Sequence, residues 1–313
     1  MSPQVISVGR ISVDLYAQEP HQGFEAQQSF TKSVGGSPTN VAVATAQLGH
    51  SVALVTKVGA DAFGDYAINR LRDWGVDTSL IAQVRDAQTP LAFAALTPPE
   101  TPTVMFYRGP SAPDTMLLPS DVPHEVIEEA DILWISQSSL AQGSTPQACL
   151  HWMGLRGENQ HTVLDLDYRE SLWATKGQAR EMATMAIARS SVVVGNSEEC
   201  KVALGISEPH AAADALLEAG VRLAIIKLGA EGALLATENE RVTVAPTPVD
   251  VVCGLGAGDA FGGALCHGLL ENLPLAEIGA LANSAGALVA TQLTCADAMP
   301  TKEQLRTWME SRS

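Results

Sequence analysis

Residues 51–75 read SVALVTKVGADAFGDYAINRLRDWG, an apolar β-forming run followed directly by a segment with helical spacing. The same pairing recurs downstream, in DILWIS before PQACLHWMGL, in HTVLDLDYR before QAREMATMAIARS, and in SVVVGN before SEECKVALG. Strands that alternate with helices in this way form crossover units and a mostly parallel sheet. Because the strands are almost continuous in Val, Ile and Leu, we expect helices on both faces. The predicted fold class is α/β.

Two segments, 11–36 and 90–109, interrupt this alternation because they are β-like without intervening helices. Each has turn-forming residues in its middle, EPHQG in the first and PPETP in the second. We predict that they are antiparallel excursions from the main sheet, which together form a small flap. No linker or internal repeat interrupts the sequence, so residues 1–313 are predicted to form one domain.

Composition excludes several classes of function. The chain has 313 residues, of which 46% are hydrophobic and 17% charged, as expected for a folded globular protein. Its net charge of -16 argues against a nucleic-acid or anionic-membrane partner. No apolar run reaches the roughly 20 residues needed to span a bilayer, and the N-terminus does not resemble a signal peptide. The five scattered cysteines predict free thiols in a reducing cytoplasm.

A glycine-rich loop, VVCGLGAGDAF (251–261), directly precedes a segment with helical periodicity. A helix N-terminus presents unpaired amides and the positive end of the helix dipole, and glycine lets that backbone approach an anion. Gly256, Ala257 and Gly258 therefore form a candidate phosphate cradle. Asp259 would repel a phosphate, but it fits a general base that takes a proton from an attacking hydroxyl. The alternative is an acidic residue that stabilises the helix, with glycines for close packing.

A second glycine cluster, GGSPTN (35–40), stands at the start of the helical segment VAVATAQLG, where a simple helix entrance is the alternative interpretation. Together, GGSPTN and GLGAGDAF resemble the two signatures of the ribokinase-like (PfkB-type) carbohydrate kinases, in the same order and across essentially the whole chain. The resemblance implies a central sheet with helices on both faces and a small β lid. It also implies that Asp259 is the catalytic aspartate and that residues 256–258 form the anion hole.

Further positions match this family one by one. The resemblance implies that the substrate is held by Asp14, at the end of the first strand, and by Gly35, Gly36 and Asn40 of the first signature. A strand-end turn is the alternative for Asp14.

On the nucleotide side, Asn196 and Glu199 resemble the family's NxxE element, which organises Mg²⁺ and its waters, and a helix capping box is a compatible alternative. KLGAEG (227–232) resembles the family loop beside the nucleotide, and a β-turn is its alternative. The resemblance to the family implies that seven residues contact the nucleotide: Asn196, Lys227, Gly229, Gly232, Gly256, Gly258 and Asn283.

The stretch TPLAFAALTPPETPTVMFYRGPSAPD (89–114) resembles a subgroup of the family, the 5-dehydro-2-deoxygluconokinases of inositol catabolism. Their substrate is a sugar acid, so cations are required in the cleft. The candidates are Arg108 in the lid, Arg169 at the end of the strand LDLDYR, and Lys57 at another strand end. A guanidinium can bind a carboxylate through two parallel hydrogen bonds. Each of these cations is otherwise a surface residue.

The resemblance implies ATP and Mg²⁺ as cofactors and phosphorylation of the C6 hydroxyl of the sugar acid. 2-Keto-3-deoxygluconate kinases, other sugar kinases of the family and a non-catalytic sugar-acid sensor are the alternatives. K⁺ activation stays open because Cys253 and Gly254 replace the Asp-Thr pair that usually precedes the loop. The resemblance also implies a homodimer through the lid.

Overall fold

The computed structural model of the protein describes residues 2–312. Within that range the chain forms two sheets. The strands are β1 (Val5–Val8), β2 (Ser12–Ala17), β3 (Phe30–Gly35), β4 (Val52–Gly59), β5 (Ile81–Val84), β6 (Leu91–Ala95), β7 (Thr103–Tyr107), β8 (Ile132–Ser136), β9 (His161–Asp165), β10 (Val192–Asn196), β11 (Leu223–Lys227), β12 (Ala233–Ala236) and β13 (Arg241–Val244).

The large sheet has nine strands in the order β13-β12-β11-β10-β9-β8-β1-β4-β5. The seven strands from β11 to β5 pair in parallel, and β12 and β13 extend one edge as an antiparallel hairpin. The predicted central, mostly parallel sheet is therefore confirmed. Its carboxyl ends, after β1, β4, β8, β9, β10 and β11, meet at one edge, where open α/β sheets usually bind their ligands.

The small sheet has four strands in the order β3-β2-β6-β7, and all four lie inside the segments predicted to form the flap. β2–β3 and β6–β7 are antiparallel hairpins, but β2 and β6 pair in parallel. Each predicted excursion is therefore an antiparallel hairpin, as expected, and the parallel pairing that joins the two hairpins was not predicted. β1 and β5 are both strands of the parallel part of the large sheet and end at the same edge, so the chain enters β2 and β6 in the same direction. We call this sheet the lid.

Helices cover both faces of the large sheet. They are α1 (Ser37–Gln47), α2 (Ala62–Asp73), α3 (His124–Glu129), α4 (Thr145–Gly154), α5 (Lys176–Ile187), α6 (Ser197–Leu204), α7 (Pro209–Glu218), α8 (Ala257–Leu270), α9 (Leu275–Ala290) and α10 (Lys302–Glu310). Alternate residues of each buried strand face opposite sides: Ile132 and Trp134 join the core under α1, α8 and α9, whereas Leu133 and Ile135 join the core under α4 and α5. No helix in residues 2–312 is both long enough and apolar enough to cross a bilayer.

Glycines let α8 lie close to α1 and to the sheet. A Cβ on Gly262 would lie 2.7 Å from the Trp134 ring, and one on Gly263 would lie 2.3 Å from the Ala44 Cβ. Neither neighbour can move without disturbing the core. This packing fixes the axis of α8, whose first turn carries the predicted catalytic aspartate.

Gly263→Ala should destabilise the fold by about 1–3 kcal/mol, because the new methyl group overpacks the contact between α8 and α1. The matched control is Gly154→Ala at the exposed end of α4, where a Cβ meets nothing within 4 Å. The free energy of unfolding, measured by urea denaturation, should fall for the first variant and hold or rise slightly for the second. Equal stability of the two variants would contradict the packing argument.

Candidate active site

The glycine loop ends in a conformation that aims the first turn of α8 into the cleft. Gly256 caps α8 with a φ of 81°, in the left-handed region that favours glycine. A Cβ at this position would also lie 2.7 Å from the Sγ of Cys295. The first amides of α8 have no acceptor within the helix, so they are available to an anion at this end. The expected cradle at residues 256–258 is therefore at a helix start, as the sequence predicts.

Asp259 lies in the first turn of α8 and accepts a 2.7 Å hydrogen bond from the Nδ2 of Asn40, in the first turn of α1. The structure thus joins the two glycine signatures, which are 219 residues apart. Burial raises the pKa of Asp259 to about 6, and the Asp167 charge adds to this, while Asn40 and Arg169 oppose it. A carboxylate with a pKa near neutrality can both accept and release a proton in the physiological range.

Asp14 lies within the lid strand β2, and its predicted position at the end of the first strand is wrong because the sheet breaks between β1 and β2. Its carboxylate accepts hydrogen bonds from Ser12 Oγ at 2.6 Å and Tyr16 Oη at 3.2 Å. Burial raises the pKa of Asp14, although these two hydrogen bonds oppose the shift. Gly35 is required beside it, because a Cβ there would lie 1.9 Å from the carboxylate.

Arg169 lies four residues beyond β9, so its predicted place at the strand end is wrong. β9 ends at Asp165, which pairs with Ser136, the last residue of its neighbour β8. The Arg169 Nε contacts Asp167 Oδ1 at 2.8 Å, and 44% of the side chain is exposed. Burial acts to raise the pKa of Asp167, but Arg169 and Arg10 hold it well below its usual range.

The other two predicted cations are held by acidic partners. Arg108 follows the lid strand β7, and its Nη2 donates to Asp114 Oδ1 at 2.6 Å. Lys57 donates to the carbonyl of Met116 at 2.9 Å and contacts Asp121 at 2.7 Å. Of these two side chains, Arg108 keeps a buried donor, Nε, that has no protein partner in the described part of the chain.

A buried ionic cluster lies beside the cradle, at the carboxyl ends of β9, β10 and β11. The Lys227 Nζ lies 3.5 Å from Asp165 Oδ1 and 3.8 Å from Glu199 Oε2. Burial raises the pKa of Asp165 to about 7, with Lys227 opposing and Glu199 adding to the shift. Burial acts to lower the pKa of Lys227, but the surrounding carboxylates, led by Asp165, raise it. A Cβ on Gly258 would lie only 3.5 Å from this ammonium, so the cluster adjoins the cradle.

The NxxE element forms the capping box that was the compatible alternative. Asn196 Oδ1 accepts from the Glu199 amide at 2.9 Å, and Glu199 Oε2 accepts from the Asn196 amide at 2.7 Å. Within residues 2–312, the group of three metal-capable side chains whose ligand atoms lie within 4.8 Å of one another is His50, His267 and Glu271, at the opposite end of α8. Carboxylates at the cleft are thus too dispersed for a closed cage, which fits an ion held largely through water.

The two glycines of the predicted nucleotide loop have different surroundings, one open and one tightly packed. Gly229 begins a short 3₁₀ turn with a φ of 59° and open space where a Cβ would stand. Gly232 instead serves packing, since a Cβ there would lie 2.0 Å from the Val244 carbonyl. Asn283, in α9, donates to the Ala245 carbonyl at 2.9 Å and so fixes the chain that follows β13. Gly229 and Gly232 thus flank the turn between β11 and β12, and Asn283 contacts the chain just after β13.

The lid contacts the loop that leads into α8. The Gly254 amide donates to the Pro99 carbonyl, at the tip of the β6–β7 hairpin, at 2.8 Å. A Cβ on Gly254 would lie 2.0 Å from the Glu100 carbonyl, so a larger residue cannot occupy this position without moving the lid. Next to it, Cys253 is buried in a cluster with Tyr16 and Cys295.

Comparison with known proteins agrees with this architecture. A model of the pfkB family of carbohydrate kinases matches residues 2–302 of the 313. The chain belongs to the pfkB carbohydrate kinase family. It is therefore a sugar kinase, with the two glycine signatures of that family at the starts of α1 and α8.

Individual relatives of this pfkB family kinase span almost its full length. A 5-dehydro-2-deoxygluconokinase from Geobacillus thermodenitrificans is 30% identical over 314 aligned residues, which cover 97% of this chain and 92% of the relative. The solved aminoimidazole riboside kinase from Salmonella enterica, complexed with aminoimidazole riboside and an ATP analog, is 28% identical with a TM-score of 0.86, covering 97% and 99% of the two chains. Fructokinase from Vibrio cholerae, with fructose, ADP and calcium ion bound, is 27% identical with a TM-score of 0.85, covering 98% and 99%. The predicted ribokinase-like fold is confirmed.

Sequence reasoning assigned no role to four buried charged residues of this pfkB family kinase: Asp114, and the three that lie near strand ends, Arg10, Asp165 and Asp167. Arg10 comes two residues after β1, Asp165 ends β9 and Asp167 follows it. Their positions at carboxyl ends of parallel strands were a usable signal, as was the alternation of charges in DLDYR.

Asp259→Asn should stabilise this kinase at alkaline pH. The folded protein, with a pKa of about 6 for Asp259, binds this proton more tightly than an unfolded chain with the ordinary value of 3.8. Stability from this group is therefore present at low pH and lost as the pH rises through about 6. Urea unfolding should show the variant more stable than wild type near pH 8 but not near pH 4. Asp86→Asn, at an exposed position, is the control, and a destabilised Asp259→Asn at pH 8 would refute the buried charge.

Proposed function

We propose that this pfkB family kinase transfers the γ-phosphoryl group of ATP to the C6 hydroxyl of 5-dehydro-2-deoxy-D-gluconate. One observation carries the proposal. Asp259, in the first turn of α8 beside the cradle, has a pKa of about 6 and accepts a hydrogen bond from Asn40 in α1. The relative from Geobacillus thermodenitrificans, whose name gives this activity, supports the choice of substrate. The arginines at the same edge support an acidic sugar.

In this proposal, Asp259 accepts the proton of the C6 hydroxyl as its oxygen attacks the γ-phosphorus. The new O–P bond forms while the bond to the β,γ-bridging oxygen breaks, and ADP leaves with that electron pair. The amides of Gly256, Ala257 and Gly258 donate hydrogen bonds to the migrating group, where negative charge is concentrated. The lid closes over the sugar and excludes water, which limits hydrolysis of ATP.

Mg²⁺ would neutralise charge on the triphosphate when bound. Asn196 and Glu199 would hold it through water, since both are fixed at the start of α6 and Glu199 lies 3.8 Å from the Lys227 ammonium beside the cradle. Lys227, beside the cradle, would add a fixed positive charge. Gly229, Gly232 and Asn283 would border the nucleotide, supported for Gly229 by its open surroundings.

Asp14 would accept hydrogen bonds from sugar hydroxyls. Gly35 and Gly36 would border the sugar, and their missing side chains let the Asp14 carboxylate and the Arg10 carbonyl lie against them. Asn40 supports this placement, because its Oδ1 is buried and has no protein partner within residues 2–312. Arg108, Arg169 and Lys57 would supply the positive charge for the carboxylate. The support is strongest for Arg108, with its unpartnered Nε, and weakest for Lys57, whose ammonium already has two oxygen partners.

Several wider proposals accompany this function. Five buried free cysteines support a reducing cytoplasmic location, and the net charge of -16 supports the absence of a nucleic-acid partner. The outer face of the lid exposes the apolar side chains of Phe30, Met105 and Tyr107, which supports a homodimer through the lid.

2-Keto-3-deoxygluconate is the second candidate substrate, because the same arginines suit it. A non-catalytic sensor would not need Asp259.

An ADP-release assay with a panel of sugars tests the activity. We expect 5-dehydro-2-deoxy-D-gluconate to give the highest kcat/KM, followed by 2-keto-3-deoxygluconate, with fructose and ribose much lower. The panel is run with and without K⁺, and we expect little K⁺ effect because an apolar cluster surrounds Cys253. ADP release with neutral sugars alone would sink the acidic-substrate proposal, and no release with any sugar would favour the sensor.

Asp259→Asn should lower kcat by at least about 10³-fold while nucleotide binding survives, because the variant keeps the cradle but lacks the base. In the wild type, kcat/KM should fall as the pH drops below about 6, since protonated Asp259 cannot accept the hydroxyl proton. Stopped assays across the pH range and calorimetric titration with ATP measure both effects. Asp86→Asn again serves as the control, and near-normal turnover of Asp259→Asn would remove the base assignment.

A further inference from the structure

Arg10 is a buried cation that the roles above leave unassigned. It lies in the short loop between β1 and β2, with 7% of its side chain exposed. A buried guanidinium in a protein with a net charge of -16 needs fixed partners, since burying it unpaired is costly. Its Nε donates to Ser138 Oγ at 2.9 Å and its Nη2 donates to Asp167 Oδ2 at 2.9 Å.

The backbone of Arg10 is fixed by the first glycine signature. Its carbonyl accepts a 2.9 Å hydrogen bond from Thr39 Oγ1, and a Cβ on Gly36 would lie 2.3 Å from the same carbonyl. The lid ring of Phe106 lies with its centroid 5.9 Å from the guanidinium carbon. Arg10 therefore lies between the first glycine signature, which contacts its backbone, and the face of the lid that carries Phe106.

A donor on each of two arginines stays unused. Arg10 Nη1 has no protein acceptor within residues 2–312, and Arg108 Nε is buried without a partner in the same range. Both side chains line one small cavity, together with Ser138, Gln142 and Asp114. Asp114 joins Arg108 to the β1–β2 loop that carries Arg10. Its Oδ1 accepts a hydrogen bond from Arg108, and its Oδ2 accepts one from the Ile11 amide.

The charges of this group do not balance. Arg10, Arg108 and Arg169 carry three positive charges, whereas Asp167 and Asp114 carry two negative ones. Asp167 is shared, because Arg10 and Arg169 bind its two oxygens from opposite sides. Arg169 is 44% exposed and also lies near Glu199 and Asp259, so the imbalance that matters is at the two buried arginines. Arg10 shares its one carboxylate partner with Arg169, and Arg10 and Arg108 each keep an unused N–H donor, which is the setting that an anion completes.

We propose that Arg10, together with Arg108, binds the carboxylate of the sugar-acid substrate in the cavity between the β1–β2 loop and the lid. This inference rests on the proposed function and names the residue that selects an acid over a neutral sugar. Asp167 and Ser138 act as positioning residues, because they hold two sides of the Arg10 guanidinium and leave the third toward the cavity. Arg169 binds the other oxygen of Asp167, and the charges of Asp167, Glu199 and Asp259 together raise its pKa.

The test compares 5-dehydro-2-deoxy-D-gluconate with the neutral analogue in which CH₂OH replaces the carboxylate. Arg10→Gln should lower kcat/KM for the acid about 10- to 100-fold, mainly through KM, because a charged hydrogen bond is lost. For the neutral analogue the change should stay within about 3-fold. Arg10→Lys, which keeps a cation beside Asp167 but loses the planar fork, should fall between Arg10→Gln and wild type. Arg189→Gln, at an exposed arginine two residues beyond the end of α5, should match wild type.

Thermal unfolding of each variant separates misfolding from loss of recognition, and Arg10→Lys keeps the test valid if Arg10→Gln fails to fold. Equal losses for the acid and the neutral analogue, or an unchanged preference for the acid in both Arg10 variants, would overturn the inference and leave the proposed function standing. A wild type that does not prefer the acid would instead overturn the acidic substrate itself, and the role of Arg10 with it.

Discussion

The hydrogen bond from Asn40 to Asp259 is the contact on which the arrangement of the cleft depends. It ties the first turn of α1 to the first turn of α8, and those two helices pack side by side along the same face of the sheet. Because Gly262 and Gly263 permit that close packing, the aspartate is held in position by the core and not by a flexible loop. A functional carboxylate supported by rigid elements can keep the same orientation through a catalytic cycle.

Electrostatics imposes a second constraint on the cleft. The charge of Asp167 adds to the rise in the pKa of both Asp165 and Asp259, and the charge of Asp259 adds to that of Asp165. Asp167 stays charged because two guanidinium groups flank it, whereas Asp165 and Asp259 have pKa values shifted toward neutrality. Neighbouring carboxylates thus acquire different protonation states from their surroundings, a common property of catalytic centres.

The fold and the centre of the cleft were predictable from sequence for a physical reason. Alternating apolar runs and helical segments dictate a parallel sheet, and glycine clusters at helix starts identify where backbone must approach a ligand. The positions of Asp14 and Arg169 were misjudged because the end of a strand depends on its pairing with distant segments, which one chain segment does not encode. Arg10 was missed because its importance arises from Asp167, a partner 157 residues away.

The bond between Gly254 and Pro99 couples the tip of the lid to the backbone just before the phosphate cradle. When the β6–β7 hairpin lifts away, that amide loses its acceptor and the chain leading to Gly256 loses an anchor. A lid that opens for the proposed sugar would therefore also release the backbone that leads into the proposed phosphate cradle. The missing side chain at Gly254 is what allows the two backbones to touch.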